Sequence, residues 1–134
     1  VNEPHPIAEY ELDEEQLLSA TTTEVAEARA HLTDAESLLS RFKPDASTCI
    51  ERARTCLAVA LARITNDEIV LEQLDAIRLS LNEAHAACDA AHAHVRLYDM
   101  QPDDKRAKSH AEKATQSARA ATHRALALLL EQSG

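Results

Sequence analysis

Glycine is almost missing from this chain: its one occurrence in 134 residues is the last of them, Gly134. That excludes a nucleotide-cradling glycine loop, a Rossmann fold and, with only four prolines, a turn-rich β-sandwich. Tryptophan is absent, and Tyr10, Phe42 and Tyr98 are the only aromatic residues. No apolar run approaches the roughly 20 residues needed to span a bilayer. The three cysteines, Cys49, Cys56 and Cys88, are too few and too sparse for a disulfide framework. Bases are scarce where the chain opens: residues 1–40 hold ten acidic residues against Arg29 alone. The whole chain carries a formal charge of −9, which repels phosphate polyanions and argues against nucleic acid and anionic lipid as partners.

What is present is alanine, about a fifth of the chain, within a composition of 45% hydrophobic and 28% charged residues. That is the balance of one globular domain, and with so few turn formers it is an all-α one. An odd number of cysteines in helical patterns points to a reducing compartment, and the first ten residues show no basic-plus-apolar signal pattern, so a cytoplasmic location is expected.

Periodicity divides the chain into an extended N-terminal arm, residues 1–12, and a four-helix domain, residues 13–134. The helices are expected at about 13–42, 46–64, 66–99 and 103–131. The first opens on the capping box Asp13-Glu14-Glu15-Gln16 and carries the seam Leu18, Thr21, Val25, Ala28, Leu32, Ala35, Leu39, Phe42. Lys43-Pro44-Asp45 ends it, because a residue before proline is driven out of helical geometry. The second helix places Ile50, Ala53, Leu57, Ala60 and Ile64 on one face. A second capping box, Thr65-Asn66-Asp67-Glu68, starts the third helix, whose seam is Val70, Leu74, Ile77, Leu81, Ala84, Cys88, Ala91, Val95, Tyr98. A single unbroken helix would bring Asp67 and Arg78 into the core, so the chain is expected to reverse here. The fourth helix is expected to start at Asp103 with an almost pure alanine seam: Ala107, Ala111, Ala114, Ala118, Ala121, Ala125. Short connections make sequential helices antiparallel neighbours, which predicts an up-down-up-down bundle of two helical hairpins. The short second helix is expected to leave apolar surface on its partners for the arm or a second subunit to cover.

Seven histidines invite a search for metal ligands. His85, Cys88 and His92 fall at i, i+3 and i+7 on the third helix, with His94 nearby, and imidazole and thiolate are ligands that zinc prefers. The competing and preferred reading makes Cys88 a small core residue flanked by two amphipathic rings at the core boundary. Cys49 and Cys56 lie seven apart on the flank of the second helix; facing the third helix they would approach Cys88, but burial as small apolar residues accounts for them more simply. No motif in the chain identifies a catalytic base or an electropositive pocket that would activate a cysteine. Lys105, Arg106, Lys108 and Lys113 form a short basic stretch, read as a solvated face or as partners of the acids in the first helix, with anion binding the lesser reading.

One comparison with an enzyme family bears on this pattern. HEPN domains, many of them ribonucleases, carry an Arg followed after four to six residues by His, and Arg78 with His85 meets the loosest form of that spacing. Leu79 stands where a polar residue usually follows the Arg, the pair sits mid-helix, and the net acidity fits an RNA substrate poorly, so no membership is inferred. The function expected first is therefore non-enzymatic: a helical bundle without a cofactor that acts through a protein partner or as a homodimer. A bundle binding a metal or small ligand at His85, Cys88 and His92 ranks second, and a helical ribonuclease third.

Overall fold

A computed structural model describes residues 14–65 and 72–133, and these form four helices: α1 (Glu14–Ser40), α2 (Ala46–Thr65), α3 (Glu72–Met100) and α4 (Lys105–Ser133). The expected arm, Asp13 of the first capping box, Asn66-Asp67-Glu68 of the second, and Val70 lie outside the described residues. Each helix forms where the chain repeats an apolar residue at alternating steps of three and four, so that one face can be buried along its whole length.

The packed pairs are α1 with α2, α2 with α3, α3 with α4, and α4 with α1, a four-cornered ring. Contacts between helices fix their directions. Arg63, near the end of α2, reaches Glu24 near the start of α1 at 3.2 Å. Arg119 meets Glu36 at 2.7 Å while Arg29 meets His123 at 3.1 Å, so α4 runs against α1. Arg54 of α2 bonds Asp89 of α3 at 3.1 Å. Those two residues would lie about 50 Å apart on one continuous helix. The chain therefore reverses between α2 and α3, as the reset of the apolar seam requires.

The core alternates sizes by heptad position. Along α1 the large residues Leu18, Val25, Leu32 and Leu39 alternate with Thr21, Ala28 and Ala35; along α2 Ile50, Leu57 and Ile64 alternate with Ala46, Ala53 and Ala60. From Leu74 to Tyr98 the expected α3 seam is buried at every position. Burying each Leu or Ile side chain contributes roughly 1.5–3 kcal/mol, so these rows supply most of the stabilisation.

Two expectations need correction. On α4 the fully buried row is Ala111, Thr115, Ala118, Thr122, Ala125 and Leu129, whereas Ala107 and Ala114 are only half-buried. Alanines lie on adjoining faces of α4 and leave the rotation open; Leu129 decides it, because stepping back by sevens from it leads to Thr122 and Thr115. Burying a hydroxyl without a partner costs about 1–3 kcal/mol, and here that cost is avoided locally. Thr115 and Thr122 donate to the carbonyls of Ala111 and Ala118 at 2.8 Å, and Thr21 donates to Leu17 at the same distance.

The second correction concerns Phe42, which does not close the α1 seam but is 73% exposed. The helix stops at Ser40 in a Schellman turn, with Lys43 N donating to Leu38 O at 2.8 Å and Phe42 N to Leu39 O at 3.2 Å. That turn requires a left-handed residue, and Phe42 supplies it with φ 56°. Asp45, which precedes α2, is also left-handed at φ 80°. At the other hairpin, Asp104 rather than Asp103 is the cap: its Oδ1 accepts from the amides of Arg106 and Ala107 at 2.9 and 3.1 Å. Pro102 thus lies in the turn and not in the first turn of the helix. No described helix is long and apolar enough to cross a membrane.

Candidate functional site

Cys88 sits on the core row of α3 and is fully buried. Desolvation holds its thiol neutral and pushes its pKa up to about 12, with Asp89 adding to the rise and Arg54 opposing it. Such a thiol is a poor nucleophile and gives up its proton to a metal reluctantly. His85 and His92 occupy one flank of α3 and are half-buried. The His85 ring turns to Asp89, with Nδ1 3.6 Å from Oδ2, while the other Asp89 oxygen holds Arg54. His94 stacks edge-on against His110 of α4, with ring centroids 5.8 Å apart. The helix therefore puts His85, Cys88 and His92 on neighbouring positions without drawing their donor atoms together.

A different trio is drawn together. Among the described residues, Glu24 and Glu27 of α1 and Cys56 of α2 are the one group whose ligand atoms all lie within 4.8 Å of one another. The two carboxylates share a face because they are one turn apart, and antiparallel packing brings Cys56 opposite them. Burial raises the Cys56 thiol pKa, and the charges of Glu24 and Glu27 and a hydrogen bond to Glu24 raise it further. Arg63 already neutralises Glu24 at 3.2 Å and also reaches the Ala20 carbonyl at 3.3 Å. A cation entering here would compete with that guanidinium. Sequence reasoning placed Cys56 on a helix flank but could not name its neighbours, since nothing local says which acids of α1 face it.

Cys49 lies on the same flank, toward α1: burial raises its thiol pKa, and Asp34 adds to the effect. Cys49 and Cys56 therefore look to α1 while Cys88 looks to the core, and the three-thiol cluster considered from spacing is not formed. All three are free thiols. Their separation follows from α2 having two packed flanks, one toward α1 and one toward α3.

The expected complement of acidic α1 and basic α4 is present in part. Arg119 bonds Glu36, and both line a polar groove of about 430 Å³ between α1 and α4, shared with Thr33, Ser37, Glu112 and Gln116. Of the basic stretch, Lys108 bonds Glu112 on its own helix at 3.3 Å and places Nζ 4.0 Å above the Phe42 ring. Lys105 and Arg106 project from the exposed first turn of α4, and Lys113 is also exposed. Arg78 and His85 are each engaged by a different carboxylate, Arg78 by Asp75 at 2.6 Å and His85 by Asp89.

The other conspicuous feature is apolar. Phe42, Leu79, Leu97, Met100 and Leu130 are each more than half exposed, and Val59 is 37% exposed. The heptad rows are already matched across the ring, so these side chains add little to the core. Val59 borders a shallow depression with Ala58, Ala62 and His85 on the α2–α3 side. Compared with known protein families, with curated proteins and with solved structures, the chain finds no match.

Proposed function

We propose that this chain is a non-enzymatic helical bundle that acts by binding another protein, a second copy of itself included. The observation that carries this reading is the set of large apolar side chains on solvent faces of a bundle whose core rows, among the described residues, are filled without them. Leaving a Leu or Met exposed forgoes roughly 1.5–3 kcal/mol that burial against a partner would recover. The heptad construction supports the same reading, because each helix offers a regular outer surface on which another helix can seat.

Sedimentation velocity on tag-free protein, with and without a chelator and with bound metal assayed on the same sample, tests it. The expected result is a concentration-dependent dimer that is indifferent to chelator. A metal bound near one per chain, or an assembly that dissociates with chelator, would instead support ligand binding by His85, Cys88 and His92 or by the Glu24–Glu27–Cys56 trio. A monomer at millimolar concentration that also binds no hydrophobic dye would overturn the interaction reading.

A further inference from the structure

The groove between α1 and α4, about 430 Å³, is lined among the described residues by hydroxyls, an amide, two carboxylates and a guanidinium, with no apolar side chain. That volume falls within the roughly 300–1,000 Å³ of small-molecule sites, while a lining of this kind excludes an apolar occupant. Its α1 wall owes its openness to short side chains, Thr33, Ser37 and Ser40, which follow one another at steps of four and three.

The polar atoms of the groove are unevenly committed. Glu36 Oε2 holds Arg119 Nε at 2.7 Å, while Glu36 Oε1 is buried and has no hydrogen-bond partner. Buried polar atoms are paired in most folds, so this oxygen marks a place where a donor is wanted. Thr33 and Ser40 give their protons to the carbonyls of Arg29 and Ser37, at 3.0 and 3.1 Å, and so offer the groove only lone pairs. Glu112 bonds Lys108 through one oxygen at 3.3 Å. On the donor side, Arg119 bonds through Nε and keeps its two Nη groups, and the Gln116 amide is exposed.

We infer that this groove is a binding site for a neutral saccharide. The electrostatics select the charge. Each carboxylate is already paired with a cation of α4, so a cationic ligand would meet Arg119 and Lys108, and an anionic one Glu36 and Glu112, as like charges. The remaining donors and acceptors select the chemistry. A sugar hydroxyl both donates and accepts, so neighbouring hydroxyls give protons to the Glu36 and Glu112 carboxylates while accepting from the Arg119 fork and the Gln116 amide. An aromatic face stands beside the Glu112 end. Lys108, which bonds Glu112, lies over the Phe42 ring at 4.0 Å, and that ring is largely exposed. The electron-rich face of such a ring suits the C–H face of a pyranose, which a linear polar ligand lacks. This inference goes beyond the protein-binding reading and does not depend on it.

Titration of the isotope-labelled full chain with D-glucose and with trehalose, followed through the backbone amide shifts, tests it. The expected result is saturable movement of the Ser37, Glu112 and Gln116 signals, with Kd in the millimolar range, while Ala58 and Ala62 on the α2–α3 side stay still. Gln116→Ala, at an exposed position where alanine favours the helix, should weaken binding about fivefold. Glu36→Gln keeps the shape of the side chain and removes its charge, and should weaken binding at least as much with helical circular dichroism unchanged. Phe42→Ala should also weaken it, by removing the aromatic face. Groove signals that move without saturating up to about 100 mM of either sugar would overturn the inference, since a millimolar Kd is saturated well before that. Equal affinity in the parent and the Gln116→Ala protein would overturn it as well. Saturable shifts of the same residues with putrescine or succinate, but with neither sugar, would show that the groove takes a charged ligand and would overturn the saccharide assignment.

Discussion

Replacing Phe42 with glycine and, separately, with alanine separates two opposing effects at the α1–α2 turn. Phe42 holds φ 56° in the Schellman turn, where its Cβ crowds the following carbonyl. A left-handed L-residue pays about 1–2 kcal/mol for this, and glycine pays none. Against that, glycine loosens the unfolded chain by about 0.4–1 kcal/mol. Either substitution removes the ring beneath Lys108 Nζ, 4.0 Å away. At an exposed site that cation–π contact is worth about 0.5–1 kcal/mol. The ring is 73% exposed, so little other packing is lost. Phe42→Ala keeps the strain and loses the contact, and should destabilise by about 0.5–1 kcal/mol. Phe42→Gly loses the contact but sheds the strain, and should stay within about 0.5 kcal/mol of the parent. The glycine variant is thus expected to be the more stable by up to about 1 kcal/mol, or roughly 3–5 °C in Tm. Within a helix the order of the two residues would be reversed. Urea and thermal melts followed by circular dichroism at 222 nm measure the difference, since the chain has no tryptophan to report it. An alanine variant equal to or more stable than the glycine variant would show that position 42 is not left-handed in solution. A Lys108→Ala cycle isolates the ring contact, with coupling expected in the parent and absent once Phe42 is gone.

Other perturbations address the core and its edges. Thr122→Val and Thr115→Val should change stability by less than about 1 kcal/mol, because each removes a donor whose acceptor carbonyl keeps its helical bond; a loss above about 2 kcal/mol in equilibrium melts would mean that the hydroxyls serve more than their own helix. Leu32→Ala, at a fully buried position, should cost about 2–5 kcal/mol, and a smaller loss would indicate a core loose enough to collapse around the gap. The Cys88 thiol stays neutral to about pH 12 in the fold, whereas in the unfolded chain it ionises near its ordinary 9.0. Its contribution is therefore complete below pH 9 and is lost as pH rises toward 12, with a slope of up to about 1.4 kcal/mol per unit. Cys88→Ala should flatten the stability profile between pH 9 and 10.5, and identical slopes for the two proteins would contradict this. At neutral pH Cys88 should resist thiol reagents while Cys49 and Cys56 react first, which mass mapping of the modified cysteines would check.

Much of the architecture could be read from spacing because the helices follow one rule. Where a seam contains Leu, Ile and Val, as from Leu18 to Leu39, from Ile50 to Ile64 and from Leu74 to Val95, its burial is legible residue by residue. Where alanine dominates, the pattern loses contrast: on α4 small residues cover adjoining faces, and the true row ran through two threonines. Phe42 departs from the α1 seam for another reason. It continues the α1 spacing, but the Pro44 that follows forces a turn, and turn geometry outranks hydrophobic spacing at a helix end. The sites were less legible than the fold. His85, Cys88 and His92 can be grouped because they share one helix, whereas Glu24, Glu27 and Cys56 meet only through the packing of α1 on α2.

The order in which the helices touch bears on how the chain folds. Three of the four packed pairs join helices that follow each other directly, and only α1 with α4 closes a contact between the ends of the domain. Each hairpin can form from neighbours in sequence, so little loop-closure entropy is spent before contacts form, and rates at the fast end for small domains follow. The Glu36–Arg119 and Arg29–His123 contacts belong to the one junction that must wait for the whole chain. Substitutions there should act mainly on the unfolding rate, and substitutions at the hairpin seams on the folding rate. The α1–α4 junction is then the part that decides how long the native bundle lasts once formed.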